Sequence, residues 1–206
     1  MDNENRQMNL HTFIFIGRSG CGKGTQVEKL AEFLTKQGII NSQHNWLRIE
    51  TGALFREVVK TDGYTAKLHG AGIDHGDRLP DNFAIWAWTN FLVEKFTGAE
   101  HLFCDGCPRS LIEAQTLDLL WKFYKRVKPI VVYLDVSREE SKRRLLERGR
   151  KDDQSEDIDR RLDWFDRDVL PAVEYYRDNP KYYFAEIDGE QSREKIHEDL
   201  ITKLGL

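Results

Sequence analysis

The chain has few cysteines, few prolines and no long hydrophobic run. Three cysteines in 206 residues form no closed disulfide framework and fit a reducing compartment. Five prolines and no Gly/Ser-rich tract leave no trace of a linker, and no repeat or low-complexity segment divides the chain. No apolar stretch approaches the roughly 20 residues that span a bilayer. The first ten residues are polar and lack the apolar core of an export signal. A cytoplasmic protein without a membrane partner is therefore expected. Positive charge is not in excess either: 35 acidic against 31 basic residues, a net charge of −4, argues against nucleic acid as the main partner. What remains is a polar tail over residues 1–11 and one domain over 12–206. That length buries roughly 70% of the unfolded surface without a disulfide or metal staple.

The apolar pattern alternates between two periods. Thr12 to Ile16 is a short β-favouring run that stops at Gly17, as a buried strand does. Val27, Leu30, Ala31 and Leu34 then recur at helical spacing, and Gly38 closes that helix. His101–Cys104 and Ile130–Leu134 read as further buried strands. The helical stripes around them are Leu117/Leu120/Trp121/Tyr124 and Ile158/Leu162/Phe165/Val169/Val173, and Trp86, Trp88, Phe91 and Leu92 read as helix packing. Tyr182–Phe184 followed by Ile196/Leu200/Ile201/Leu204 completes the series. Strands that alternate with helices imply an α/β fold with right-handed crossovers and a parallel sheet covered on both faces. Ligands then belong at the carboxyl ends of the strands.

Gly17-Arg-Ser-Gly20-Cys21-Gly22-Lys23-Gly24-Thr25 lies between the first strand and its helix. Glycines there let backbone N–H groups turn inward around phosphate oxygens, the helix start adds partial positive charge, and Lys23 adds a full one. The residue after Lys23 is Gly24, with the hydroxyl one step later at Thr25. Cys21, beside Lys23 and a helix start, is a candidate reactive thiol.

The Gly-Lys-Gly-Thr-Gln form of this loop resembles the adenylate kinase and nucleoside monophosphate kinase family, short-lid type. Further stretches match the family's motifs in order. Arg48 to Arg56 resembles its acceptor segment, Gly76 to Asp81 its acceptor turn, and Asp105-Gly-Cys-Pro-Arg109 its Asp-Gly-Phe-Pro-Arg. Arg144, Arg148, Arg150, Arg161 and the acids Asp152 and Asp153 resemble the charged residues around its lid. The resemblance runs from about residue 13 to 189. It implies a three-layer P-loop fold with a five-stranded parallel sheet, a helical acceptor-binding insert over about 51–83 and a short lid over about 149–160. The implied reaction is ATP + NMP ⇌ ADP + NDP, AMP favoured, with Mg²⁺ held through water by Asp105. Gly20, Cys21, Gly22, Lys23, Gly24, Thr25 and Arg144 would bind ATP, with Arg144 against the donor adenine. Thr51, Arg56, Leu79, Arg109 and Glu113 would bind the acceptor. Lys23, Arg109, Arg148, Arg150 and Arg161 would be catalytic. A monomer is expected.

The physical reading agrees. Phosphoryl transfer between two nucleotides gathers many negative oxygens, so its catalysis is mainly positioning and charge stabilisation, for which Arg forks are suited. The bland alternative is a solvated helix face, since residues 142–161 hold eight basic and six acidic side chains. No cysteine lies in the lid, which excludes lid zinc there, and Cys104-x-x-Cys107 lacks a second pair. Rival functions are a kinase for GMP or a pyrimidine monophosphate, a nucleotide-binding regulatory protein without transfer activity, and a hydrolytic NTPase. The acceptor base is where the match departs. Glu113 stands where adenylate kinases carry a Gln, and Arg78 replaces an apolar residue of the acceptor turn. Either Glu113 meets the base, or it turns to water with Gln115 substituting.

Overall fold

The computed structural model describes residues 10–149 and 153–206. Arg150 and Asp152 lie outside the described residues. Five strands, β1 (Thr12–Ile16), β2 (Trp46–Glu50), β3 (His101–Asp105), β4 (Ile130–Asp135) and β5 (Tyr183–Asp188), form one sheet in the order β2-β3-β1-β4-β5. Every pairing is parallel. The helices are α1 (Lys23–Lys36), α2 (Thr51–Val59), α3 (Tyr64–Asp74), α4 (Asp81–Lys95), α5 (Leu111–Phe123), α6 (Arg138–Arg148), α7 (Ser155–Trp164), α8 (Leu170–Arg177) and α9 (Arg193–Leu204). A π-helical turn, Phe165–Val169, joins α7 to α8.

β1 is central, and all five of its residues are buried. Its side chains alternate between two cores, as the strand period requires. Ile14 and Ile16 face a cluster with Trp88, Trp121 and Tyr176 from α4, α5 and α8. Phe13 and Phe15 face a second cluster with Leu30, Leu34 and Leu200 from α1 and α9. The expected three-layer α/β architecture is the one observed. Because β1 pairs with β3 at Phe15 and Asp105, the turns that leave these two strands lie side by side. That is the switch point of an open parallel sheet, where ligands bind.

Helix starts are capped unevenly. Ser110, Ser137 and Ser192 each accept a hydrogen bond from the N–H three residues on, opening α5, α6 and α9. α1 starts from Gly22 in the left-handed region (φ 96°) with no side-chain cap, so its first N–H groups stay available to a ligand.

Three features differ from the sequence reading. β2 is not marked by a continuous apolar run, because it is an edge strand in which only Ile49 is buried. β5 starts at Tyr183 and runs to Asp188 with alternating exposure. Trp86 does not pack: it is 53% exposed, whereas Trp88, two residues on, is 1% exposed. No helix among the described residues is long and apolar enough to cross a membrane.

The two tryptophans give a direct test of this packing. Trp88→Ala should cost about 3–5 kcal/mol of unfolding free energy by urea denaturation, and Trp86→Ala less than about 1 kcal/mol. Equal losses would contradict the burial described.

Candidate active site

An open cleft of about 860 Å³ lies over the carboxyl ends of β1 and β3. Gly20, Cys21, Gly22, Lys23, Gly24 and Thr25 form its floor, and Asp105 its wall at the end of β3. Cations reach it from elements far apart in sequence: Arg48 (β2), Arg56 (α2), Arg109 (before α5), Arg144 and Arg148 (α6), and Arg161 (α7). Convergence of this kind exceeds what a solvated helix face provides. At Gly20 (φ 84°) a Cβ would come within 2.9 Å of Leu145 Cγ and the Ser141 carbonyl, so only glycine lets the loop pass α6 this closely.

Each cation is held by an oxygen. Lys23 Nζ donates to the carbonyls of Gly17 (2.7 Å) and Arg18 (3.0 Å). Arg56 pairs with Glu50 at 2.9 Å, and Arg144 with Glu140 at 2.6 Å. Arg148 binds Asp153 through two hydrogen bonds of 2.8 Å, and Arg161 Nη2 reaches the same carboxylate at 2.9 Å. Asp153 thus meets two arginines from α6 and α7 at once. Arg109 donates to the Gly106 carbonyl at 2.8 Å and stands 5.9 Å from the rings of Phe55 and Trp164. Burial pulls the Arg109 guanidinium below its ordinary pKa, and the charge of Glu113 opposes that fall. Trp164 Nε1 donates to the Gly76 carbonyl at 3.2 Å, which ties α7 to the turn that follows α3.

Arg48 is the functional candidate that the motifs did not single out. Its guanidinium donates to Asp105 Oδ2 at 2.6 Å and Glu28 Oε1 at 3.0 Å, and lies 3.7 Å from Glu50. Its sequence signal is its place at the head of the stretch that resembles the acceptor segment, inside an edge strand that the apolar pattern does not reveal. Cys21 is not the reactive thiol expected: its residue is fully buried, with Sγ 3.5 Å from Lys23 Nζ. Cys104 and Cys107 are buried and free. Their hydrogen bond and their burial hold the Cys104 thiol well above the ordinary range. Among the described residues no group of three His, Cys, Asp or Glu side chains could hold a metal. The oxygens at the head of α1, from Asp105 and Thr25, are of the kind offered to a hard cation that keeps most of its water.

A family model described as adenylate kinase matches residues 15–181. The chain belongs to the adenylate kinase family. It is 33% identical to adenylate kinase 1 of Nostoc sp. over 192 residues, covering 93% of this chain and 97% of that protein. Adenylate kinase of Leptospira biflexa is 33% identical over 198 residues (93% and 98%), and that of Bacteroides fragilis 31% over 191 (91% and 94%).

Three of the residues expected around the acceptor lie deeper than the cleft lining, unlike Arg56 and Arg109. Thr51, Leu79 and Glu113 are buried, and Thr51 Oγ1 and Glu113 Oε1 have no hydrogen-bond partner. Glu113 is 1% exposed, so it does not turn to water, and Gln115 is exposed on α5 and cannot take its place. Glu113 Oε2 accepts from the Arg109 N–H at 2.9 Å, and Oε1 lies 3.7 Å from Arg78 Nη1. Arg78 is held by Asp81 (2.5 Å) and Asp168 (3.1 Å). Burial pushes the Glu113 carboxyl up to about 7; the Arg109 N–H and the charges of Arg109 and Arg78 oppose the rise, and Asp81 adds to it.

A carboxyl whose folded pKa lies above its unfolded value binds protons more tightly in the native state, so its contribution to stability falls as pH rises between the two values. For Glu113 that window runs from about 4.5 to about 7. Glu113→Gln, which keeps an acceptor for the Arg109 N–H without charge, should raise stability by about 1–3 kcal/mol at pH 8 and change little at pH 4.5. Urea denaturation at both pH values checks this, and a gain confined to low pH would reverse the assignment.

Proposed function

We infer that this chain is a nucleoside monophosphate kinase that moves the γ-phosphoryl group of ATP onto an acceptor nucleotide, with AMP favoured. The observation that carries this reading is the convergence of Lys23 and arginines from β2, α2, the β3–α5 turn, α6 and α7 on one cleft. A hydrolase has no use for a second set of cations on an acceptor segment, and a purely regulatory protein has no use for so complete a set. The names of the relatives support the same activity and the same acceptor.

Lys23 and the open N–H groups of α1 would hold the donor phosphates, with Arg144 at the donor base. Arg56 and Arg109 would hold the acceptor phosphate, with Thr51, Leu79 and Glu113 around its base. Arg148, Arg161 and the motif residue Arg150 would draw up to the transferred group as the lid over about 149–160 and the insert over about 51–83 close, excluding water. On binding, phosphate oxygens replace the carboxylates that now hold these arginines, and the charge spread over the transferred group meets donors already in position. Mg²⁺, when bound, supplies neutralising charge on the donor phosphates, and Asp105 would hold it through water. A monomer in the cytoplasm is part of the proposal.

GMP is the second acceptor reading, and the carboxyl that Glu113 brings where the family carries an amide is the observation that favours it. Adenine presents a donor at N6 and an acceptor at N1. A neutral carboxylic acid offers the matching acceptor and donor, as an amide does, whereas an ionised carboxylate only accepts and suits the two donors of guanine. A coupled assay across AMP, GMP, CMP and UMP tests the acceptor assignment, and activity with none of them would remove it.

Lys23→Met should lower kcat by at least about 100-fold, a loss of about 3 kcal/mol in transition-state binding. A variant that kept more than half the wild-type rate would sink the assignment of Lys23.

The preference for AMP over GMP, read as the ratio of kcat/KM values, should fall as pH rises from 6 to 8, while Glu113→Gln makes the ratio independent of pH. At pH 8 that substitution should raise kcat/KM for AMP about tenfold. Parallel profiles for the two enzymes would refute a base-reading Glu113.

A further inference from the structure

The residue after Lys23 is Gly24, where a Cβ would lie 2.8 Å from Arg48 Nη2 and 3.6 Å from Asp105 Oδ2. Gly24 is therefore the space into which Arg48 reaches. The guanidinium extends from β2 across the end of β3, where Glu50 and Asp105 are register partners, onto Glu28 of α1. It touches the donor helix, the strand-end carboxylate and the residue that holds Arg56 of the acceptor helix. No other described side chain in the cleft makes all three contacts. Arg48 Nε is buried without a partner, a cost that a mere edge-strand ion pair does not explain.

We propose that Arg48 is a positioning residue for the transfer: it clamps Asp105 and joins the donor cradle to the acceptor segment, in a space opened by Gly24. Asp105 has 9% of its side-chain surface exposed and stands in a cleft that must receive phosphates. Unclamped, a carboxylate there is free to turn and repels the incoming anions. Clamped by one hydrogen bond at 2.6 Å, it keeps one orientation and a reduced local charge. Burial lowers the Arg48 pKa, but the hydrogen bond and charge of Asp105, with Glu28, outweigh it and hold the guanidinium protonated. Since Arg48 also draws on Oδ2, it competes with any cation for this carboxylate. Removing it weakens positioning and strengthens the attraction of Asp105 for metal. The proposal rests on the kinase reading for its kinetic part alone.

The test uses the full chain as Arg48→Gln and Arg48→Lys, each with and without Asp105→Asn. Arg48→Gln should lower kcat about 20-fold with KM for ATP and AMP within about threefold, the pattern of a lost transition-state interaction. Arg48→Lys should restore part of that loss. In calorimetric titration of Mg²⁺ into the enzyme–ADP complex, Arg48→Gln should lower the half-saturating Mg²⁺ at least about fivefold, and Asp105→Asn should abolish the difference. An unchanged Mg²⁺ midpoint together with a kcat within twofold of wild type overturns the proposal. So does a loss of kcat that follows a loss of thermal stability in both variants while the Mg²⁺ midpoint stays put. A wild-type enzyme that phosphorylates no nucleoside monophosphate removes the kinase reading, while the Mg²⁺ titration still decides the clamp.

Discussion

Eight arginines and a lysine line one cleft, and like charges at that density repel unless something holds them. What holds them is a matching set of oxygens: Glu28, Glu50 and Asp105 around Arg48, Glu50 for Arg56, Glu140 for Arg144, and Asp153 between Arg148 and Arg161. The exposed pair of Arg56 with Glu50 contributes at most about 1 kcal/mol, so phosphate oxygens exchange for that carboxylate at small cost. Arginine suits such exchange better than lysine, because its fork meets a carboxylate and a phosphate in the same bidentate geometry. The cleft is thereby assembled before its ligand arrives.

The parallel sheet makes this assembly possible. It aligns the carboxyl ends of β1, β2 and β3 along one edge, so that turns separated by many residues open onto the same volume. The head of α1 carries no side-chain cap, whereas α5, α6 and α9 are capped by serine. Its open N–H groups stand over the cleft, where an anion is to bind. The same division shows in the glycines of the loop: Gly20 lets the backbone pass α6, and Gly24 lets Arg48 in.

Glu113 sits on the other side of this arrangement. It is a buried carboxyl whose Oε2 accepts the Arg109 N–H ahead of α5 and whose Oε1, 3.7 Å from Arg78, has no hydrogen-bond partner, a costly state. A packing role alone would be better met by an apolar side chain. The cost is consistent with a group kept for a ligand, and Thr51 Oγ1 repeats the pattern at the start of α2.

Much of this was legible in the sequence, for identifiable reasons. Strands buried on both faces read as apolar runs, which is why β1, β3 and β4 were visible while the edge strand β2, with one buried residue, was not. Loop glycines and the basic residues of the motifs were visible because their spacing is local. Hidden from sequence was everything set by approach across elements. Cys21 looked reactive beside Lys23, yet packing buries it; Glu113 could face water or the base until α5 turned it inward; Arg48 was one charge among many until β2 set it against Asp105. Spacing along the chain determined which groups this protein carries and the chemistry they suit. Only the tertiary structure decided which of them meet, because burial and charge pairing act through distances that the order of residues does not contain.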